Sequence, residues 1–467
     1  MKRIGIAGSI ILCVSLAMFT AATAEEGAQK INLVVHVAGY TPNIPQAVGP
    51  ELEVAAIIAE EYEELNPGVT IEFFEAPSDG FGASTLKTSL VGGTAPDITN
   101  VQITEFWTDT GKGWFEPLDE HFEKPNPYVE GNKKWLDLFY PDLSMRYRAP
   151  DDKLYTVAID LVDTGVFYNK AIFKELGLEV PTNFAEFLNI QETILKDGKY
   201  VPFAYRGQLL CDWTTTIIQE ALQKELMEEI NTDGDNRVSL EEIARAYKQG
   251  LYMSGDPGML ETFRIIKEWS QYWQKGWATA KIEDVLRLFA TGQSAMMWDG
   301  SWSMRAMKYD PVITFDWGIF AIPPITTATS SIAKGNTSPS VGGIANQMAV
   351  TNSAIRDGKV EAAVDFLMYW TAPQNAGRLI NESMNYLPNI RGVVPSPEMD
   401  PFKDSLENWK NYWWDGRLGS EVYSKMTDEI WVPYLLDKAS LAETIEKRDA
   451  LLEENFDRVI KDQGWTF

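Results

Sequence analysis

Residues 31–74 read INLVVHVAGYTPNIPQAVGPELEVAAIIAEEYEELNPGVTIEFF. The stretch opens on Ile31-Asn-Leu-Val-Val-His-Val37, an apolar run of strand length that Gly39 ends. From Pro50 the spacing changes: Val54, Ile58, Tyr62 and Leu65 recur at helical intervals until Asn66-Pro67-Gly68 stops them. β-Branched and aromatic residues return over Val69 to Phe74, Leu86 to Val91 predicts a further helical piece, and Ala95-Pro96-Asp97-Ile98 leads into a third strand. Strand, helix, strand, helix, strand predicts a parallel α/β layer. Such layers bind ligands beyond the carboxyl ends of their strands. Tyr40 after the first strand, and Asn100 and Gln102 after the third, are therefore candidates for a ligand edge.

The rest of the chain extends this pattern. Residues 153–168, KLYTVAIDLVDTGVFY, predict a second extended stretch, and Asn169-Lys170 leads into a helix with Ile172, Phe173 and Leu176 that Gly177 ends. Further α/β alternation runs from Val201 to Pro324, interrupted by a helical insert over about 214–250. Residues 359–381 read as one helix through Val360, Ala363, Val364, Leu367, Trp370 and Leu379, and Leu441 to Asp462 as another. No internal repeat is present, and 467 residues suffice for two or three domains with their own cores.

Composition narrows the function classes. Asp plus Glu total 67 against 41 Lys plus Arg, a net charge of -26, which disfavours nucleic acid, anionic lipid surfaces and strongly anionic substrates. Disorder is excluded, because 16 Trp, 18 Tyr and 21 Phe cannot all stay in water. His36 and His121 are the only histidines and Cys13 and Cys211 the only cysteines, so neither a multi-histidine metal centre nor a disulfide framework is possible. Lys2 and Arg3, an apolar run from Ile4 to Phe19 and Ala22-Thr23-Ala24 form a signal-peptide pattern over residues 1–24. The expected destination is the periplasm. Leu12 before Cys13 argues against lipoprotein anchoring, and no later segment has the apolar length of a membrane span, so no membrane insertion is expected after cleavage.

Within the insert, Asn231-Thr-Asp233-Gly-Asp235-Asn-Arg237-Val-Ser239-Leu-Glu-Glu242 has the spacing of a twelve-residue EF-hand loop. Its ligands to Ca2+ would be the side chains of Asn231, Asp233 and Asp235, the Arg237 carbonyl, Ser239 through water, and bidentate Glu242, with Val238 as the apolar bridge. Asn231 replaces the usual Asp, and Asn236 stands where Gly is usual. A single loop predicts a structural ion bracing the insert, with a dissociation constant on the order of 10⁻⁴ M or weaker.

Five segments in order, NPGVTIEF, GGTAPDI, KLYTVAIDLVDTGVFYNKAIFKELGLEVPTNFAEF, GQSAMMWDGSW and VGGIANQMAV followed by EAAVDFLMYW, resemble the sugar-class, maltose-binding-protein-like extracellular solute-binding proteins of ABC transporters. The resemblance covers nearly all of 31–467 outside the insert. It implies an α/β, two-lobed periplasmic-binding-protein fold, each lobe a mainly parallel sheet flanked by helices, with the ligand cleft between the lobes. The implied lobes are residues 25–159 plus about 345–398, and about 160–344 plus 399–467. The implied function is capture of a sugar or oligosaccharide by hinge closure and delivery to membrane permease subunits, by a monomer and without catalysis.

Sugars offer a C–H face that stacks on aromatic rings and hydroxyls that pair with carboxylates and amides. Trp298-Asp299-Gly300-Ser301-Trp302 combines both, and the resemblance puts Trp302 at the family's stacking position. Asp212 and Trp213, with Arg206 and Gln208 upstream, combine both again, and Asp160 lies where the family carries a ligand-contacting acid. Gly343 completes the expected set with Tyr40 and Asn100. Val101 stands where the family often has an aromatic, which leaves Tyr40 or Trp107 to supply stacking from the N-terminal lobe. Trp409, Trp413 and Trp414 fit no pattern beyond packing.

Two other classes compete. A secreted glycoside hydrolase needs two opposed carboxylates, which no local motif marks. A calcium-dependent carbohydrate-binding or scaffold protein predicts repeated loops, and there is one.

Overall fold

The computed structural model describes residues 30–43, 46, 48–76, 82–140, 148–149, 151–232, 234, 238–335, 342–406, 418 and 420–467. The signal-peptide residues 1–24 and the Trp409, Trp413 and Trp414 cluster lie outside them.

The first sheet is built by the opening stretch. Strand β1 (Ile31–His36) pairs in parallel with β2 (Val69–Phe73) and β3 (Ile98–Asn100). A late segment, β9 (Met348–Val350), adds antiparallel to β3, giving the order β2-β1-β3-β9. Helix α1 (Val54–Leu65) buries Ala55, Ile58, Ala59 and Tyr62, the face set by its apolar spacing, in the core formed with Leu33, Val35 and Trp370. Helix α2 (Ala83–Gly92) crosses between β2 and β3 and ends on Gly93, whose φ of 65° is the left-handed cap that favours glycine.

The second sheet is organised by one long strand, β4 (Asp160–Asn169). It pairs with β6 (Ser294–Gly300), β7 (Trp317–Phe320), β8 (Gly342–Ile344) and β10 (Leu387–Pro388), all antiparallel. β5 (Val201–Ala204) runs parallel to β6 at the far edge. The mainly parallel order expected for this lobe therefore holds for β5 and β6 alone, because β4 runs against β6. Asn169 ends β4 and caps α3 (Lys170–Leu176) by accepting the Ala171 and Ile172 N–H groups. Trp269 stands at the centre of this core, its ring against Phe184, Phe187, Phe203, Trp273 and Trp298.

The insert forms α4 (Thr215–Ile230), kinked at Gln223, and α5 (Leu240–Lys248). The single helix expected over 359–381 is two, α6 (Val360–Trp370) and α7 (Pro373–Ser383). Pro373 has no N–H for a continuing ladder and opens the second helix instead. Three passages of chain lie side by side between the sheets. Val157 bridges Met348, and Asn389 donates its backbone N–H to Ile159 O at 2.7 Å and its amide to Ala158 O at 3.0 Å. Among the described residues no helix is long and apolar enough to cross a membrane.

Candidate ligand site

β5 runs beside β6 as far as Met297, and the last residues of β6 together with those that follow both strands carry the aromatic and charged groups expected there. Alternation along β6 sends Trp298 and Asp299 to opposite faces of the sheet. Trp298 is 1% exposed and lies in the core, its ring 5.5 Å from Trp213 and 5.9 Å from Trp269. Trp302 and Trp213 are half-buried, 5.3 Å apart between ring centroids. Gly300 makes room for Trp302: a Cβ there would lie 2.2 Å from the indole Cη2.

Trp213 sits in a widened turn, Leu210–Thr214, that leads into α4. Thr215 Oγ1 donates to Leu210 O at 2.5 Å, and Thr214 Oγ1 lies 2.5 Å from the Tyr205 hydroxyl, whose ring stacks on Trp273 at 3.6 Å. Asp212 belongs to this turn; its side chain lies outside the described residues.

Asp299 is 1% exposed. Ser303 Oγ donates to its Oδ2 at 2.6 Å, and Arg206 Nη2 stands 3.8 Å from its Oδ1. Burial pushes this carboxyl above its usual range, while the Arg206 guanidinium, Ser303 and Trp302 pull it back. The guanidinium also lies over the Trp213 ring, 5.6 Å from its centroid.

Asp160 begins β4 and is fully buried. It accepts from the Tyr40 hydroxyl at 2.5 Å, from the Asn346 N–H at 2.9 Å and from the Asn346 amide at 2.5 Å. Burial pushes its carboxyl up to about 6, against the pull of these hydrogen bonds. Tyr40 is buried too, with Tyr386 at 5.3 Å and Trp370 at 6.0 Å between ring centroids. Gly343 pairs with Val162 in the adjoining ladder. This group ties the Tyr40 segment, the start of β4 and the 342–348 passage together, five residues along β4 from Gly165, the partner of Asp299.

Asn100 ends β3 opposite Met348, and its amide nitrogen is buried without a hydrogen-bond partner. Beside it, Gln102 accepts from the Gln347 amide at 3.1 Å and donates to Ala345 O at 3.1 Å. Trp107 packs against the cluster that contains Val101. The expected residues thus fall into two groups that share β4, with Asn100 beside the 345–348 passage. Sequence reading missed Asn346 as partner of Asp160, Tyr386 beside the Tyr40 ring, and Ser303 as partner of Asp299. Ser303 was legible as the residue four positions after an acid at a strand end; Asn346 had no local signal.

Around the EF-hand-like loop, Asn231 Oδ1 accepts the Gly234 N–H at 2.9 Å, and Val238 is fully buried, as an apolar bridge requires. Ser239 caps α5, and Glu242 accepts from Ser239 N at 2.9 Å and Oγ at 3.0 Å and from Thr232 Oγ1 at 2.9 Å. Burial raises the Glu242 carboxyl, but these hydrogen bonds together outweigh it and hold the group below its usual value. Asp233, Asp235 and Arg237 lie outside the described residues. Of the expected ligands, the described residues supply the oxygens of Asn231, Ser239 and Glu242, which suit a hard cation, and both Glu242 oxygens are held by Ser239 and Thr232.

Residues 50–377 match the family model of the bacterial extracellular solute-binding proteins. The chain is 28% identical over 283 residues to the multiple sugar-binding protein of Streptococcus mutans, a match that covers 57% of this chain and 58% of that one. Among solved structures it resembles a chitin oligosaccharide binding protein, with a TM-score of 0.68 at 18% identity, covering 92% of this chain and all of the other. It also resembles the solute-binding protein RafE in complex with raffinose, with a TM-score of 0.65 at 20% identity over 91% of this chain and all of the other.

Proposed function

Because the chain belongs to the bacterial extracellular solute-binding proteins, we propose that it is the substrate-binding receptor of an ABC importer. It takes a sugar or oligosaccharide into the cleft between its lobes, closes on it and presents it to the permease subunits. The observation that carries this reading is the half-buried Trp213 and Trp302 pair with Asp299 and Arg206 at the carboxyl ends of β5 and β6. Indole faces supply stacking for C–H surfaces, and the charged pair supplies hydrogen bonds for hydroxyls. The ligand's contacts with both lobes shift the population toward the closed form. The relatives are named as binding proteins, and the reading here is likewise a receptor without catalysis, a monomer sent to the periplasm by residues 1–24.

A thermal-shift screen of residues 25–467 against a neutral carbohydrate library tests this. At a hundredfold excess over the dissociation constant, a true ligand stabilises by about 2.7 kcal/mol. Uniformly null shifts together with turnover of a chromogenic glycoside would replace the receptor by a hydrolase.

We also propose that the loop over 231–242 binds Ca2+ through Asn231, Asp233, Asp235, Arg237, Ser239 and Glu242. The support is the EF-hand spacing, the buried Val238 and the charged Glu242 between α4 and α5.

A further inference from the structure

Arg206 and Asp299 compensate each other's charge without completing each other's hydrogen bonds. Their 3.8 Å separation is beyond hydrogen-bond distance. Arg206 Nε and Asp299 Oδ1 are both buried, in side chains only 11% and 2% exposed, and neither has a partner at full hydrogen-bond geometry, the Trp302 N–H and Gly300 backbone acting on the carboxylate from outside it. Each is held from its other side, Arg206 over the Trp213 ring and Asp299 through Oδ2 by Ser303. A buried polar atom left unmatched is costly, so this gap favours a group that satisfies a donor and an acceptor at once.

A hydroxyl does both: it donates to Asp299 Oδ1 and accepts from the guanidinium. A carboxylate only accepts, so it would serve Arg206 while facing Asp299, whose partner Gly165 on β4 lies two residues from the buried Asp163. An ammonium only donates, so it would serve Asp299 and face a guanidinium that cannot lose its proton. Either ion leaves one buried charge opposed rather than paired.

We propose that Arg206 and Asp299 form a charge filter that sets the substrate class, admitting uncharged hydroxyl groups and rejecting both uronates and protonated amino sugars. Arg206 is thereby a specificity-determining residue. The proposal rests on the sugar-receptor reading above and assigns that site its selectivity.

The test uses residues 25–467 and the tightest-binding neutral saccharide of the library. Its uronate and deoxyamino derivatives are prepared at each ring position, and affinities are measured by calorimetry for the native protein, Arg206→Gln and Asp299→Asn. At one ring position or more, both charged derivatives should bind at least roughly tenfold more weakly than the neutral parent. Asp299→Asn should then narrow the gap between uronate and parent by about tenfold, and Arg206→Gln the gap between amino sugar and parent by the same order. A ratio of affinities on one sample does not depend on the fraction folded, so a partly destabilised variant still reports. Neutral sugars that bind, with ratios unmoved in both variants, overturn the filter alone. Failure of every saccharide to bind the native protein overturns the receptor reading and the filter with it.

Discussion

Asp160→Asn offers a test in which the sign as well as the size is fixed by the structure. The Asp160 carboxyl is fully buried and titrates at about 6, against an ordinary value of 3.8. A difference of that size is worth about 3 kcal/mol between the protonated and ionised forms. Because the folded value is the higher one, the unfolded chain ionises first as pH rises. The contribution is therefore fully present below about pH 4, is lost as pH rises to about 6, and is absent above that. An asparagine cannot titrate, so it removes this dependence. The asparagine N–H stands opposite the donors of Tyr40 and Asn346 at every pH, as the O–H of the protonated carboxyl does below about pH 6, so it adds an offset that does not change with pH. Other carboxylates also titrate in this range, so the quantity to follow is the difference in stability between the two proteins, from urea unfolding at steps from pH 4 to pH 7.5. The difference should favour the native protein most at pH 4 and shrink by about 2 kcal/mol by pH 6.5. A difference that is flat, or that grows with pH, would show that Asp160 is not a buried carboxyl held between the two sheets.

Trp302→Ala should weaken binding of the best library sugar by about tenfold or more by calorimetry, while melting moves little because the ring is half-buried. Gly300→Ala should reproduce part of that loss and alter Trp fluorescence. The backbone φ of -122° at Gly300 tolerates alanine, so the effect must pass through displacement of Trp302, and unchanged affinity would refute the placement of the ring. Millimolar Ca2+ should raise the melting temperature above that in chelator, and Glu242→Gln should abolish the increment. At roughly 1 mM Ca2+ and a dissociation constant of about 10⁻⁴ M the gain is about 1.4 kcal/mol, and equal midpoints with and without the ion would refute the site.

The fold was legible where local chemistry decides. Pro50, Asn66-Pro67-Gly68 and Gly177 punctuate the helices they flank, and the apolar intervals of α1 name the face it buries. Pro373 was equally visible, yet the apolar spacing on both sides of it carried the reading across a break. In the site, the composition of the run Trp298 to Trp302 marks a patch but not its faces: strand alternation turns Trp298 and Asp299 to opposite sides, both 1% exposed, and only Trp302 is half-buried. The setting of Asp160 was not legible, because Tyr40 and Asn346 reach it from 120 and 186 residues away and nothing local marks a hydrogen bond at that range. The resemblance implies a ligand-contacting acid at Asp160, and the geometry adds the three donors that hold its carboxylate.

The late arrival of β9 bears on how the chain is made. Ile98 finds its antiparallel partner only at Val350, so the first sheet stays one strand short until some 250 further residues have been synthesised. Pairings this distant slow folding, since chain closure must precede the contacts that reward it. Until then β3 keeps one edge without its ladder partner, so a nascent chain is exposed at that edge to pairing with any other strand it meets.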